Sequence, residues 1–178
     1  VNAYQIAQLH NLDAHAIPAL DRMDGYIVLK LDKALPFIGP VIITSTYRPD
    51  DAGSMHQFGY AIDFVSQSRE PLGHILTKLI QLGFKRIGVM PEKRMFHIDS
   101  GVEHKKAQPY IFLEDTAGND LGPLSAFPPD EVASMIPGYG EEGPEPIPTA
   151  HRDMSGSANK WALVAIPWIV FIVWRALS

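Results

Sequence analysis

The sequence predicts an α+β fold, in which short strands and amphipathic helices mix without the regular strand–helix–strand alternation of a parallel sheet. Two observations carry that prediction. Apolar residues recur at helical spacing near the start of the chain and again before Leu82, and short apolar, β-branched runs bounded by Gly, Pro and Asp lie between and after them.

Asn2 to His10 and Ile17 to Leu35 carry the first helical patterns. In the second stretch Leu20, Met23, Ile27, Leu31 and Leu35 form the apolar stripe, and Pro36 with Gly39-Pro40 is expected to stop the helix. Val41 to Thr44 is short and β-branched, as a buried strand is, and Tyr47 to Gly53 is a loop by its Pro, Asp and Gly content. Tyr60 to Val65 reads as the next strand. Glu70-Pro71 opens a helix running to about Leu82, with Pro in its first turn and Gly83 beyond its end. Lys85 to Met90 and Met95 to Ser100 read as two strands joined at Pro91-Glu92-Lys93, and Tyr110 to Leu113 with a turn at Ala117-Gly118-Asn119 reads as a further hairpin.

From Pro137 the composition changes. Residues 137–159 are rich in Gly, Pro and acid with no apolar period, which makes them a linker between a domain at 1–136 and a last segment at 160–178. A membrane-spanning helix needs about 20 apolar residues, with a lower limit near 17. Trp161 to Leu177 meets that limit, Lys160 and Arg175 are placed to snorkel, Trp161 and Trp174 suit the two interfaces, and Pro167 is tolerable in such a helix. A C-terminal transmembrane helix in a lipid bilayer is therefore expected. The competing reading is a helix packed on the domain or on a partner, and the lack of any polar face from Ala162 to Val173 speaks against it.

The 178 residues leave room for one domain with appendages. A formal net charge of -5, with no basic run longer than Lys105-Lys106, excludes a nucleic-acid footprint. With no cysteine, disulfides and thiolate metal sites are excluded, and any metal must sit on His and carboxylates. The first residues lack the basic-then-apolar build of a secretion signal, so such a signal is either already removed or not used.

Two stretches bear chemistry. In Ser54 to Asp63, His56 stands in a loop and Asp63 on the following strand, with Gly59 allowing the turn between them. In Met95 to Gly101, strand alternation puts His97 and Asp99 on one face and Phe96 and Ile98 on the other. Imidazole and carboxylate together suit Zn2+, with His97 a natural third ligand and a fourth position for water. On the residues alone, caps and satisfied surface groups explain the same His and Asp equally well.

Thr44-Ser45-Thr46-Tyr47-Arg48, then Ser54 to Asp63, then Gly83 to Gly101 together resemble the zinc D-Ala-D-Ala carboxypeptidase and endopeptidase superfamily, which shares its fold with the Hedgehog amino-terminal domain and with lytic phage enzymes. The resemblance runs from about Ile17 to Gly101 and implies a Hedgehog/DD-peptidase-like domain with a small antiparallel sheet and flanking helices. It implies Zn2+ held by His56, Asp63 and His97, and Arg48 as a substrate-binding residue, a role that suits a guanidinium fork. The alternative for Arg48 is a surface ion pair with Asp50 or Asp51. Many relatives carry an acid three residues before the last zinc His, where this chain has Arg94. The candidates left for the catalytic base are Asp99, ranked first by strand parity with His97, and Glu92 in the preceding turn. Met90 also departs from the aromatic residue that nearer relatives carry.

The implied activity is hydrolysis of peptidoglycan stem peptides or cross-links by a zinc metallopeptidase. The tail makes it a membrane-anchored enzyme, of a phage virion membrane or of a bacterial cell envelope, with other virion or envelope proteins as possible neighbours. The alternative is a zinc-binding but non-catalytic structural or recognition module of an envelope or virion.

Overall fold

The structure is a computed structural model and describes residues 1–141. The expected transmembrane helix at 160–178, and the linker from residue 142 onward, lie outside the described residues. Among the described residues no helix is long and apolar enough to cross a membrane.

Four α-helices and six strands follow in the order α1 (Ala3–Ile6), α2 (Gly25–Ile38), β1 (Val41–Ser45), β2 (Ala61–Ser66), α3 (Leu72–Gln81), β3 (Arg86–Met90), β4 (Met95–Asp99), β5 (Tyr110–Glu114), β6 (Asp120–Pro123) and α4 (Pro129–Met135). The mixture is α+β. The strands form one sheet in the order β1-β2-β4-β3-β5-β6. It is mixed rather than antiparallel, because β3 and β5 run parallel. The physical reason lies in the connection after β4. Both Asp99, at the end of β4, and Tyr110, at the start of β5, pair with Arg86, so the chain between them turns round one end of the sheet and re-enters alongside β3.

Strand alternation sorts the sheet into two faces. Ile62, Phe64, Ile87, Val89, Phe96, Ile98 and Leu113 point to one side and are buried with Ile27, Leu31 and Ile38 of α2 and Ile75, Leu76 and Leu79 of α3. The other face carries Asp63, His97, Gly88 and Phe112, aligned in one row by the registers of β2, β4, β3 and β5.

The first helical stretches are shorter than their patterns suggest. Only Ala3–Ile6 of the first is helical, and Ile17 to Met23 holds the short 3-10 turn Leu20–Arg22 instead of the start of α2. The long helix begins after Asp24, whose side chain accepts from the Tyr26 amide. At its other end it continues through Pro36 to Ile38. Proline cannot donate to the carbonyl four residues back, which is that of Asp32. Asn11 Nδ2 donates to that carbonyl instead, at 2.9 Å. The buried Asp32 carboxylate in turn accepts from the backbone N–H groups of His10, Asn11 and Leu12. Those bonds outweigh its burial and hold the carboxyl below the usual range.

Packing continues past the expected boundary at Ile136. The Gly73 amide donates to the Pro137 carbonyl at 2.9 Å, and Tyr139 packs partly buried against the core.

Replacing Asp32 with Ala should strip three backbone donors of their acceptor, and hydrogen bonds to a charged group are worth about 1.5–3 kcal/mol each before compensation by water. Urea unfolding should show a net loss of roughly 2–4 kcal/mol. An unchanged midpoint would mean that water replaces the carboxylate without cost.

Candidate metal centre

His56 sits in the 3-10 turn Met55–Phe58, capped by Ser54, whose Oγ accepts from the His56 amide at 3.2 Å. The turn closes at Gly59, with φ at +70° and a Cβ that would fall 2.1 Å from the Arg22 carbonyl oxygen. Only glycine meets both conditions. The Gly59 carbonyl also accepts from the Asp24 amide at 2.8 Å, so the loop is stitched to the start of α2. Seven residues after His56, Asp63 emerges from β2 directly across from His97 of β4.

Three side-chain atoms converge. His97 Nδ1 lies 2.8 Å from Asp63 Oδ1, His56 Nε2 lies 3.1 Å from the same oxygen, and the two ring nitrogens are 3.3 Å apart. Tetrahedral bonds of about 2.0–2.2 Å put ligand atoms roughly 3.3–3.6 Å apart, so a small expansion of this triangle is all that separates it from a metal-bound geometry. This His-Asp-His group could hold a metal ion.

The second nitrogen of each ring fixes its orientation. His56 is fully buried and its Nδ1 donates to the Thr46 carbonyl at 2.5 Å, which turns Nε2 toward Asp63. His97 is oriented the opposite way, with Nε2 donating to Asp99 Oδ2 at 3.2 Å and Nδ1 facing Asp63. Acceptors behind metal-binding imidazoles do this work in metalloproteins. Burial alone would lower the His97 imidazole, but its hydrogen bonds to Asp63 and Asp99 and their charges push it up to about 9. Burial would likewise raise the Asp63 carboxyl, yet the hydrogen bonds and charges of the two histidines hold it well below the carboxylate range.

Strand parity favours Asp99 as the base, but its position gives it other work. Its Oδ2 also accepts from Arg86 Nε at 2.8 Å and its Oδ1 from the Gly101 amide at 2.8 Å, so both oxygens are engaged on the side of His97 away from Asp63. Parity put it on the right face; it could not show which edge of the imidazole it meets. Glu92 is exposed in the 3-10 turn Pro91–Lys93 and borders a separate depression with Pro71, Leu72 and Arg94. Arg94, where the resemblance would have an acid, donates from Nη2 to the carbonyls of Ser68 at 3.0 Å and Glu70 at 2.7 Å.

His56, Asp63 and His97 open on a cleft of about 400 Å³, bordered also by Arg48, Lys93 and Glu114. Arg48 Nη2 lies 3.1 Å from Asp51 Oδ2 and 3.7 Å from Asp63 Oδ2. The alternative considered for Arg48, a surface pair, is thus present with Asp51, and the same guanidinium reaches the cluster. Met90 is buried and borders the cleft as well. Glu114 is the residue that sequence reasoning missed. Its half-buried carboxyl is pushed up by burial. The signal available was the alternation of Tyr110, Phe112 and Glu114 along one strand, which says nothing of what lies beside that strand.

No family model, no curated protein and no solved structure matches the chain.

Two outcomes follow from the geometry. His56→Ala and His97→Ala should each abolish stoichiometric divalent-metal binding, since a mononuclear catalytic site needs three protein ligands; metal analysis after dialysis reads this directly. A metal must also displace the His97 Nδ1 proton, which is held with a pKa of about 9. Affinity measured against a chelator should therefore rise with pH, by about tenfold per unit between pH 7 and 8.5. A flat profile would contradict the assignment of His97.

Proposed function

We propose that the chain is a zinc metallopeptidase that hydrolyses peptidoglycan stem peptides or cross-links, of the D-Ala-D-Ala carboxypeptidase and endopeptidase type it resembles. The observation that carries this reading is the pair of imidazoles held by hydrogen bonds at their outer nitrogens, both turned on Asp63 in the lining of a cleft. Two nitrogens and one carboxylate oxygen suit zinc, and three protein ligands facing an accessible cleft are the donor set of catalytic rather than structural zinc. The peptidoglycan part rests on the motifs Thr44 to Arg48, Ser54 to Asp63 and Gly83 to Gly101.

Zinc, when bound, supplies Lewis acidity that polarises a carbonyl and acidifies water. The chain supplies the rest. Thr46 and Asp99 hold the two imidazoles in the orientation binding requires. Arg48 binds a carboxylate or carbonyl of the substrate by exchanging its partner Asp51, an exchange with little cost because an ion pair this exposed is worth about 0–1 kcal/mol. The apolar segment Trp161 to Leu177 would hold the enzyme at a bilayer, in a phage virion membrane or a bacterial envelope.

A second reading, a zinc-binding recognition module without catalysis, is favoured by one observation: Arg94 stands where relatives carry an acid. Purified cell walls distinguish the two. Zinc-loaded protein should lower their turbidity and release new amino groups, and Arg48→Ala should do so about 10–100-fold more slowly with its zinc retained. Bound zinc and bound walls without new amines would leave the recognition module.

A further inference from the structure

We propose that Glu114 is the general base of this site and returns the proton to the leaving amine. The inference rests on the peptidase reading above and names the proton carrier that the motifs leave open.

The carboxylates near the cleft can be sorted by what already holds them. Among the described residues, three acids border it: Asp51, Asp63 and Glu114. Asp63 belongs to the metal cluster. Asp51 pairs with Arg48. Asp99, just behind, has both oxygens engaged by Arg86, His97 and Gly101. Glu114 alone borders the cleft with no hydrogen bond or ion pair to its carboxylate among the described residues. A general base must keep a free lone pair for the water it deprotonates.

The sheet explains how Glu114 reaches that place. It lies two residues beyond Phe112 on β5, hence on the same face of the sheet. Phe112 pairs with Gly88, and Gly88 pairs with His97. A Cβ at Gly88 would meet Glu114 Oε1 at 2.9 Å and the Phe112 ring at 2.8 Å. The missing side chain is therefore the space into which the carboxylate and the ring lean, one strand from the zinc-ligand histidine. Gly88 has a negative φ and sits mid-strand, where glycine otherwise weakens a sheet. Close approach of Glu114 and Phe112 gives it a reason to be there. The Phe112 ring, 6.1 Å from the His97 ring between centroids, walls this spot with apolar surface. Burial raises the carboxyl's proton affinity, which helps a group that must take a proton and then give it back.

The step balances. As a water oxygen bonds to the scissile carbonyl carbon, one water proton passes to Glu114 and the carbonyl π pair moves to its oxygen. That pair then returns, the C–N bond breaks with its electrons on nitrogen, and nitrogen takes the proton from Glu114. The remaining acid proton moves to the freed amine, giving a carboxylate and an ammonium group.

The test compares wild type, Glu114→Gln and Glu114→Ala as full-length zinc-loaded proteins, measuring zinc per chain, co-sedimentation with purified cell walls and release of amino groups. Both variants should keep their zinc and sediment with walls as wild type does, while amine release falls about 100-fold or more. Release within tenfold of wild type in Glu114→Gln would overturn the role. Loss of zinc in either variant would overturn it too, because the residue would then belong to the metal site. A zinc-loaded wild type that releases no amines removes the peptidase reading, and the role with it.

Discussion

The antiparallel register of β2 with β4 is the constraint on which the rest depends. It places Asp63 opposite His97 and, one residue either side, Ile62 opposite Ile98 and Phe64 opposite Phe96. A one-residue slip would turn every side chain of a strand to the other face. The fully buried Ile62, Phe64, Phe96 and Ile98 forbid that, because each would lose its place against the helices. The apolar face thus holds the register, and the register builds two-thirds of the ionisable cluster on the opposite face. Stability and site are set by the same strand pair.

The third member of the cluster depends on a different device. His56 comes from a loop, and loops need external support to hold a ring within the tolerance of a metal site. That support is the segment before α2, which the apolar pattern suggests is helical. Its irregular backbone leaves carbonyls free to bond outward: Thr46 Oγ1 donates to Pro18 O at 2.5 Å, Gly59 packs against Arg22 O, and the Asp24 amide donates back to Gly59. Thr46 in turn offers its own carbonyl to His56. A helix from Ile17 would have consumed these backbone groups internally. Tertiary bonding to the ligand loops therefore competes with helix propensity here, and wins.

Behind the ligands, charge is arranged to keep the cluster rigid. Arg86 compensates Asp99, Asp99 orients His97, and the guanidinium of Arg86 lies over the rings of Tyr110 and Phe112 at 5.5 and 5.7 Å. Buried carboxylates are tolerable only when paired or hydrogen-bonded: Asp63 and Asp99 are both, and Asp32 is held by backbone amides. The carboxyl of Glu114, without a partner among the described residues, is the exception and stands at the edge of the cleft, where water can reach it.

The sequence by itself determined the strands β1 to β5 and α3, because these follow from local rules: period two for strands, and Pro and Gly at helix ends; it pointed to His56, Asp63 and His97 as a group only through the resemblance of its motifs. His97 and Asp99 were legible as neighbours on one face from the period of two. Tertiary structure alone decided the rest. The parallel pairing of β5 with β3 is a long-range contact with no local signature, so a mixed sheet and the place of Glu114 were both out of reach. Pro36 was misread because the partner that replaces its missing bond, Asn11, is distant in sequence. Asp99 and Arg94 changed meaning once the atoms they touch were known, since parity names a face but not a partner. Periodicity records which side of an element is dry; what meets that side, and which hydrogen bond a polar atom ends up making, is settled only when the elements pack.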